Sequence, residues 1–498
     1  MRRPVRMSII AISTVLVLFT MQIGVAAKKK SSKRRHRTAR STPVVVTPPV
    51  FSPVVGTTAG EDDVFVNNAA PTRVAPSAPA RTGGMSTDSA GDSGNGGKRS
   101  KGRITIGPAI PSSTLAGTLI ISEFRVRGPN GANDEFIEIY NNSGANHTVA
   151  SISGGGYAVA TSAGVIICTL PNTTVIPAGG HFICVNTIAF SLATYPSGSS
   201  PIGSGDATYG FDIPDQSGIA LFNNNTGGAS FTLANRFDAV GPTAEANTLY
   251  REGAGLPTLT PFSIDYSWLR DECGKGGAVN QLGKCTISTP KDTDDNAADF
   301  YFVDTNGTSA GGGQRLGAPG PQGLSSPIQR NSTIPAVLLD ATVASAAPPN
   351  RVRDFTSDPA NNSTFGTLSI RRRFTNNTGA GVTRLRFRVI DVDTFPAASG
   401  FADLRPRTSS AVVVAGINDA ATCTAAGQAT PCSVTVQGTT LEVSPAQPNG
   451  GGFNSSLGAG TVTLGTPLAN GASIDVQFLL GIQQTGSFRI YVNIEALP

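Results

Sequence analysis

In the stretch TRLRFRVID, residues 383–391, charged and apolar residues alternate from Arg384 to Val389. Leu385, Phe387 and Val389 fall on one side, and Arg384, Arg386 and Arg388 on the other. A repeat of two is the repeat of extended backbone, so this is a strand with one buried and one wet face, as antiparallel sheets have. The same pattern surrounds it. In TLSIRRRF (367–374), Leu368, Ile370 and Phe374 share a face with Arg372, which leaves Arg371 and Arg373 on the other. Ile474, Val476, Phe478 and Leu480 alternate with Ser473, Asp475 and Gln477. Phe488, Ile490, Val492 and Ile494 alternate with Arg489, Tyr491, Asn493 and Glu495. Residues 333–498 therefore read as a β-sandwich.

Upstream, GTLIISEFRV (117–126), EFIEIYN (135–141), YAVAT (157–161), GVIICTL (164–170), HFICVN (181–186), GIALFN (218–223) and NRFDAV (235–240) are further strands between Asn/Gly/Ser loops. Their spacing suits a second antiparallel sandwich. No sustained 3.6-residue apolar period occurs, so helices should be short and few. The expected fold class is all-β, with two sandwiches that look immunoglobulin-like. Composition agrees: 58 Gly and 34 Pro in 498 residues, 14% charged and only three His. That balance argues against a His-rich metalloenzyme and against a helical bundle.

The amino terminus reads as an export signal. Three arginines in residues 1–6 precede the apolar segment 7–27, which ends in Val25-Ala26-Ala27. An uncleaved anchor is the rival, because 21 mostly apolar residues can just span a bilayer. Residues 28–40 (KKKSSKRRHRTAR) then carry eight Lys/Arg, a charge run that opposes export when it trails an apolar segment. Of the net charge of +5, residues 1–6 supply +3 and residues 28–40 supply +8, which leaves −6 for the remainder. The basic balance thus belongs to a tail that could adhere weakly to anionic surfaces, or that merely keeps a linker extended. Residues 41–113 are rich in Pro, Ser, Thr, Gly and Ala, the composition of a disordered linker. A second Gly/Pro-rich stretch, 310–332, marks a boundary. The expected organisation is signal peptide 1–27, basic tail and linker 28–113, sandwich 114–320, linker 321–332 and sandwich 333–498.

Six cysteines form three sequence-local pairs, Cys168 and Cys184, Cys273 and Cys285, and Cys423 and Cys432, none with zinc-knuckle spacing. Paired as disulfides they fit an oxidising compartment, whereas buried free thiols are the simpler alternative. Spacing alone does not fix the connectivity.

Three constellations bear on function. Asp292, Asp294, Asp295 and Asp299, with Asn296 and Asp304, offer the hard oxygens that calcium prefers, but the Gly and closing Glu of an EF-hand are missing. Turn capping by the same side chains is the alternative. If strands 367–374 and 383–391 pair through Asn376–Gly381, then Arg371, Arg373, Arg384, Arg386 and Arg388 share one face. Like charges so placed repel. They call for internal partners such as Asp391, Asp393 or Asp403, for solvation, or for an external anion such as an acidic polysaccharide or phosphate polymer. Nucleic acid is not expected, because no aromatics interleave with these arginines. Catalysis has little to work with: His147 sits in a turn, His181 opens a strand, and Gly307-Thr308-Ser309-Ala310-Gly311 has no helix pattern after it to make a nucleophile elbow. No catalytic residue and no cofactor other than possible calcium is assigned.

The segments LIISEFRVRGPNGANDEFIEIYN (119–141), FDAVG (237–241), Glu252-Gly253, SWLRDE (267–272) and KDTDDNAADFYFVDTNGT (291–308) occur in the order of the bacterial lamin tail domain. The chain resembles that family over roughly 200 residues, with a long insert between Cys168 and Leu221 as a departure. The resemblance implies an immunoglobulin-like module of a secreted or surface protein, used for binding or tethering and often found beside secreted hydrolases. It brings no catalytic residues. The expectation is a non-enzymatic exported binding or tethering protein of the envelope or extracellular space. An accessory module of a secreted nuclease or phosphoesterase system, or an adhesin for anionic polymers, is the alternative.

Overall fold

The computed structural model describes residues 64–66, 115–260, 264–272 and 289–498. The segment 1–27 read as a signal peptide, the basic run 28–40 and the pair Cys273 and Cys285 lie outside the described residues. Residues Ala59–Pro498 fall within one compact unit.

The described residues are all-β, with four main sheets. The first has the order Arg236–Val240, Ile219–Phe222, Tyr157–Thr161, Ile166–Leu170. The second runs Phe300–Asp304, Tyr266–Arg270, Leu119–Arg125, Phe136–Asn141, His181–Asn186, Ala207–Tyr209. Val159, Leu221 and Phe237 of the first pack on Ile121, Ile139, Phe182 and Trp268 of the second. The Cys168–Cys184 disulfide ties the Ile166–Leu170 strand to His181–Asn186, and so joins these two sheets.

The third sheet runs Val64–Val66, Ile490–Leu497, Arg384–Val392, Ser456–Gly458, Thr440–Leu441. Part of the stretch read as disordered linker thus supplies an edge strand: Val64–Val66 pairs in parallel with Ile490, Tyr491 and Val492. The fourth sheet runs Ala336–Leu338, Thr367–Thr375, Ser473–Gln484, Asp403–Arg407. Phe374 and Phe478 of the fourth meet Phe387 of the third with ring centroids 4.7 and 4.9 Å apart, at the centre of a core that also holds Leu385, Val389, Ile370 and Val476. Among the described residues α-helix is confined to Asn296–Asp299 and Ala420–Ala425. The second of these is tied by the Cys423–Cys432 disulfide to the strand Cys432–Val436. No helix of the described residues is long and apolar enough to cross a membrane.

Strands Thr367–Thr375 and Arg384–Val392 do not form the expected hairpin; they lie in opposite sheets. A hairpin would set arginine against arginine. The observed partners set Arg373 opposite Asp475 and Arg386 opposite Glu495, while both apolar faces still reach one shared core.

The Gly/Pro-rich stretch read as an exit and linker is largely internal. Residues 315–323 are buried throughout. Their backbone runs beside the second and third sheets: Gly320 N donates to Glu123 of the second sheet, and Gly320 O accepts from Arg388 of the third. Packing is close at Gly320, where a Cβ would meet the Arg388 guanidinium and force it to shift. The second sheet is buried on both faces as a result, and its Tyr301 and Val303 join the core of the third and fourth sheets through Phe453.

Candidate functional site

Two buried charged centres flank the second sheet. The first grows from the segments that carry the lamin-tail resemblance. Asp238 comes from the edge strand Arg236–Val240, Arg270 from Tyr266–Arg270, Glu252 from the loop after the first, and Asp292 and Asp299 from the segment leading into Phe300–Asp304. Arg270 is fully buried. Its Nη2 donates to both oxygens of Asp238 at 2.8 and 2.7 Å, its Nη1 to Asp292 at 3.4 Å and Asp299 at 3.3 Å, and its Nε to the Ile121 carbonyl at 2.7 Å. Burial pulls the guanidinium pKa down, but the surrounding carboxylates outweigh it and hold the group charged. Arg236 donates to Glu252 Oε1 at 2.8 Å, whereas Glu252 Oε2 is buried without a hydrogen-bond partner.

The four aspartates singled out for calcium do not act as one loop. Asp295 caps the Asn296–Asp299 helix by accepting from Ala297 N, and it also accepts from Ala254 N. Asp299 is taken up by Arg270, Thr293 and Lys291. Asp294 is exposed at a positive φ of 58°. The group of carboxylates close enough to share a cation, among the described residues, is Asp238, Glu252 and Asp292. Only Asp292 was legible from the sequence. The other two lie 40 or more positions away, and only the return of the chain to this corner unites them.

The second centre lies on the opposite side of the second sheet. Glu123 and Glu138 face each other directly across neighbouring strands. Burial raises both carboxyls, and Arg388 partly offsets the effect. Glu138 accepts from Ser122 Oγ and from Gln322 N, both at 2.6 Å. Across the buried 315–323 segment, Glu495 takes the Nε of Arg386 and, at 2.7 Å, that of Arg388. Arg384 pairs with Glu442, and Arg373 with Asp475 in the fourth sheet at 2.8 Å. Arg371 is half-buried and donates to Gln477 at 3.4 Å. The five arginines therefore do not share a face, and four of them meet internal carboxylates, which are Asp475, Glu442 and Glu495 and not the Asp391, Asp393 or Asp403 offered as examples.

His181 lies beside a carboxylate, with Nε2 3.6 Å from Glu138, but between β layers and 8% exposed. Burial pulls its pKa down to about 3, so the imidazole is neutral at physiological pH. His147 reaches the Tyr157 hydroxyl at 3.3 Å and packs on Phe237. The Gly307–Gly311 motif follows the Phe300–Asp304 strand as a loop capped by Asp304, which accepts from Thr308 N and Asn306 N.

The buried carboxyls give stability a pH signature. Burial raises Glu135, which accepts from Asn186 and Ile213 N beside Tyr209 and Asp212, to about 8. Burial likewise raises Glu272, between Arg388, Glu495, Asp271 and Asn493, to about 8. From the ordinary carboxyl range up to pH 8 the folded chain holds protons that the unfolded chain has lost, so stability falls as pH rises. His181 acts in the opposite sense, but only from its folded value of about 3 to about 6.5. Between pH 6.5 and 8 the carboxyls are unopposed, and unfolding free energy should drop by roughly 2 kcal/mol or more. Denaturant midpoints at constant ionic strength check this, and a midpoint that rises across the interval contradicts it.

No protein-family model, curated protein or solved structure matches the chain.

Proposed function

We propose that this is an exported, non-enzymatic binding or tethering protein of the cell envelope or extracellular space. In this reading residues 114–320 are a lamin-tail-like, immunoglobulin-like module and residues 333–498 a second sandwich of the same general kind. The observation that carries the reading is the pair of buried disulfides, Cys168–Cys184 between two sheets and Cys423–Cys432 between a short helix and a strand, which suits an oxidising compartment. The segments on which the lamin-tail resemblance rests also form adjoining strands of the second sheet and the Arg270 centre. For binding, the fourth sheet bears an apolar recess of about 460 Å³ lined by Val352, Leu368, Leu404, Ile482 and Phe488, with Arg351 at its side. That volume lies in the range of small-ligand sites.

The test is to recover the mature protein from its host, sequence its amino terminus and trap its thiols. A chain found outside the cytoplasm, beginning at Lys28 and with Cys168, Cys184, Cys423 and Cys432 oxidised, is the expected result. A cytoplasmic chain with reduced cysteines overturns the proposal. Deleting residues 28–40 separates the tail from the sheets: loss of retention on anionic polymer would assign adhesion to the tail, and unchanged retention would assign it to the folded part.

A further inference from the structure

The Arg270 centre holds more carboxyls than cations, and burial raises Glu252 and Asp292 above the ordinary carboxyl range. Five carboxylates (Asp238, Glu252, Asp292, Asp294 and Asp299) act on one another around three cations, Arg236, Arg270 and Lys291. The donors of Arg270 are spent on Asp238, Asp292, Asp299 and the carbonyls of Ile121 and Lys291. None of them reaches Glu252. A carboxylate oxygen left buried and unpaired is costly, and Glu252 Oε2 is such an oxygen. One oxygen from each of Asp238, Glu252 and Asp292 lies within 4.8 Å of the others, the spacing of ligands around a single ion.

We propose that Asp238, Glu252 and Asp292 bind one divalent cation, calcium in preference to magnesium. Hard carboxylate oxygens suit both ions. Calcium accepts six to eight oxygens in loose geometry, whereas magnesium demands a near-ideal octahedron, and a site hemmed in by a guanidinium favours the tolerant ion. Asp294 is exposed and acts electrostatically on Asp292. Gly117 leaves the space: at its φ of 70°, a Cβ would sit 2.7 Å from Asp292 Oδ2. The cation joins the edge strand of the first sheet to the segment entering the second, so binding stabilises the contact between those sheets.

Equilibrium dialysis of the full disulfide-intact chain against radioactive calcium tests this, alongside thermal melts in calcium, magnesium or chelator. We expect one calcium per chain and a melting temperature that calcium raises and equal magnesium does not. Glu252→Gln keeps an oxygen for Arg236 and removes the charge; it should weaken binding at least tenfold and abolish the calcium shift. Asp354→Asn, on an exposed and distant strand end, should bind as the wild type does. Failure of the wild-type chain to bind stoichiometric calcium overturns the proposal whether or not the variants fold. Equal affinity in a folded Glu252→Gln overturns the assignment of the ligands.

Discussion

Replacing Arg270 with Met should cost about 3–5 kcal/mol of stability, the range for removing one partner from a buried ionic cluster. The guanidinium is fully buried and stands 4.5 Å over the Phe300 ring while it serves Asp238, Asp292 and Asp299. Methionine fills much of the same volume. The loss is therefore that of the charge, and of the hydrogen bonds to buried Asp238 only those from the Ile121 and Ala239 amides remain. Trp268, the only tryptophan, lies two residues away on the same strand and reports unfolding locally. Arg127→Met is the control. Its pair with Asp215 is partly solvated, at 25% and 21% side-chain exposure, and its loss should cost less than about 1 kcal/mol. Denaturant midpoints followed by Trp268 fluorescence compare the two, and equal small losses would refute the role given to Arg270.

Glu495→Ala should be comparably damaging, again about 3–5 kcal/mol, because it strands two buried guanidiniums at once. Arg386 would keep Ser197 O at 3.2 Å and distant Glu442, and Arg388 would keep Gly320 O and Asn454. Burial acts to raise the Glu495 carboxyl, but the two arginines overcome it and bring the pKa down to about 2. Its stabilisation is thus complete above the ordinary carboxyl range and is lost as pH falls toward 2. Glu495→Gln, which keeps the shape, should flatten the acid limb of the stability profile between about pH 4.5 and pH 2. An unchanged limb would show that these arginines draw on other partners.

The strands themselves were legible. Alternation in 367–374, 383–391, 473–480 and 488–495 and in the upstream segments places extended backbone where Thr367–Thr375, Arg384–Val392, Ser473–Gln484 and Ile490–Leu497 form. Their partners were not, because period-2 patterning says which side chains share a face and not which strand lies alongside. The arginines show the consequence. Arg386 and Arg388 occupy a polar face that looks wet in sequence, yet the second sheet and the 315–323 segment cover it. The signal that could have exposed this is Glu495, which alternates on the polar face of Ile490–Leu497 in the register needed to oppose Arg386. Composition misled in the Gly/Pro stretch, where glycine answers to close packing at Gly320 and not to flexibility. The aspartate-rich 292–299 segment supplies Asp292 to the carboxylate group it forms with Asp238 and Glu252. Asp238 and Glu252 could not be joined to it without the fold.

The central claim is that the arginines of the middle layers hold β sheets together and do not present a surface to a ligand. Arginine-selective labelling of the native, disulfide-intact protein, read residue by residue by mass spectrometry, tests it most directly. Arg125, Arg270, Arg386 and Arg388 should resist modification until the chain unfolds, while partly exposed Arg127, Arg353 and Arg371 react in the native state. Labelling of Arg386 and Arg388 at the native rate of Arg353 would contradict the account.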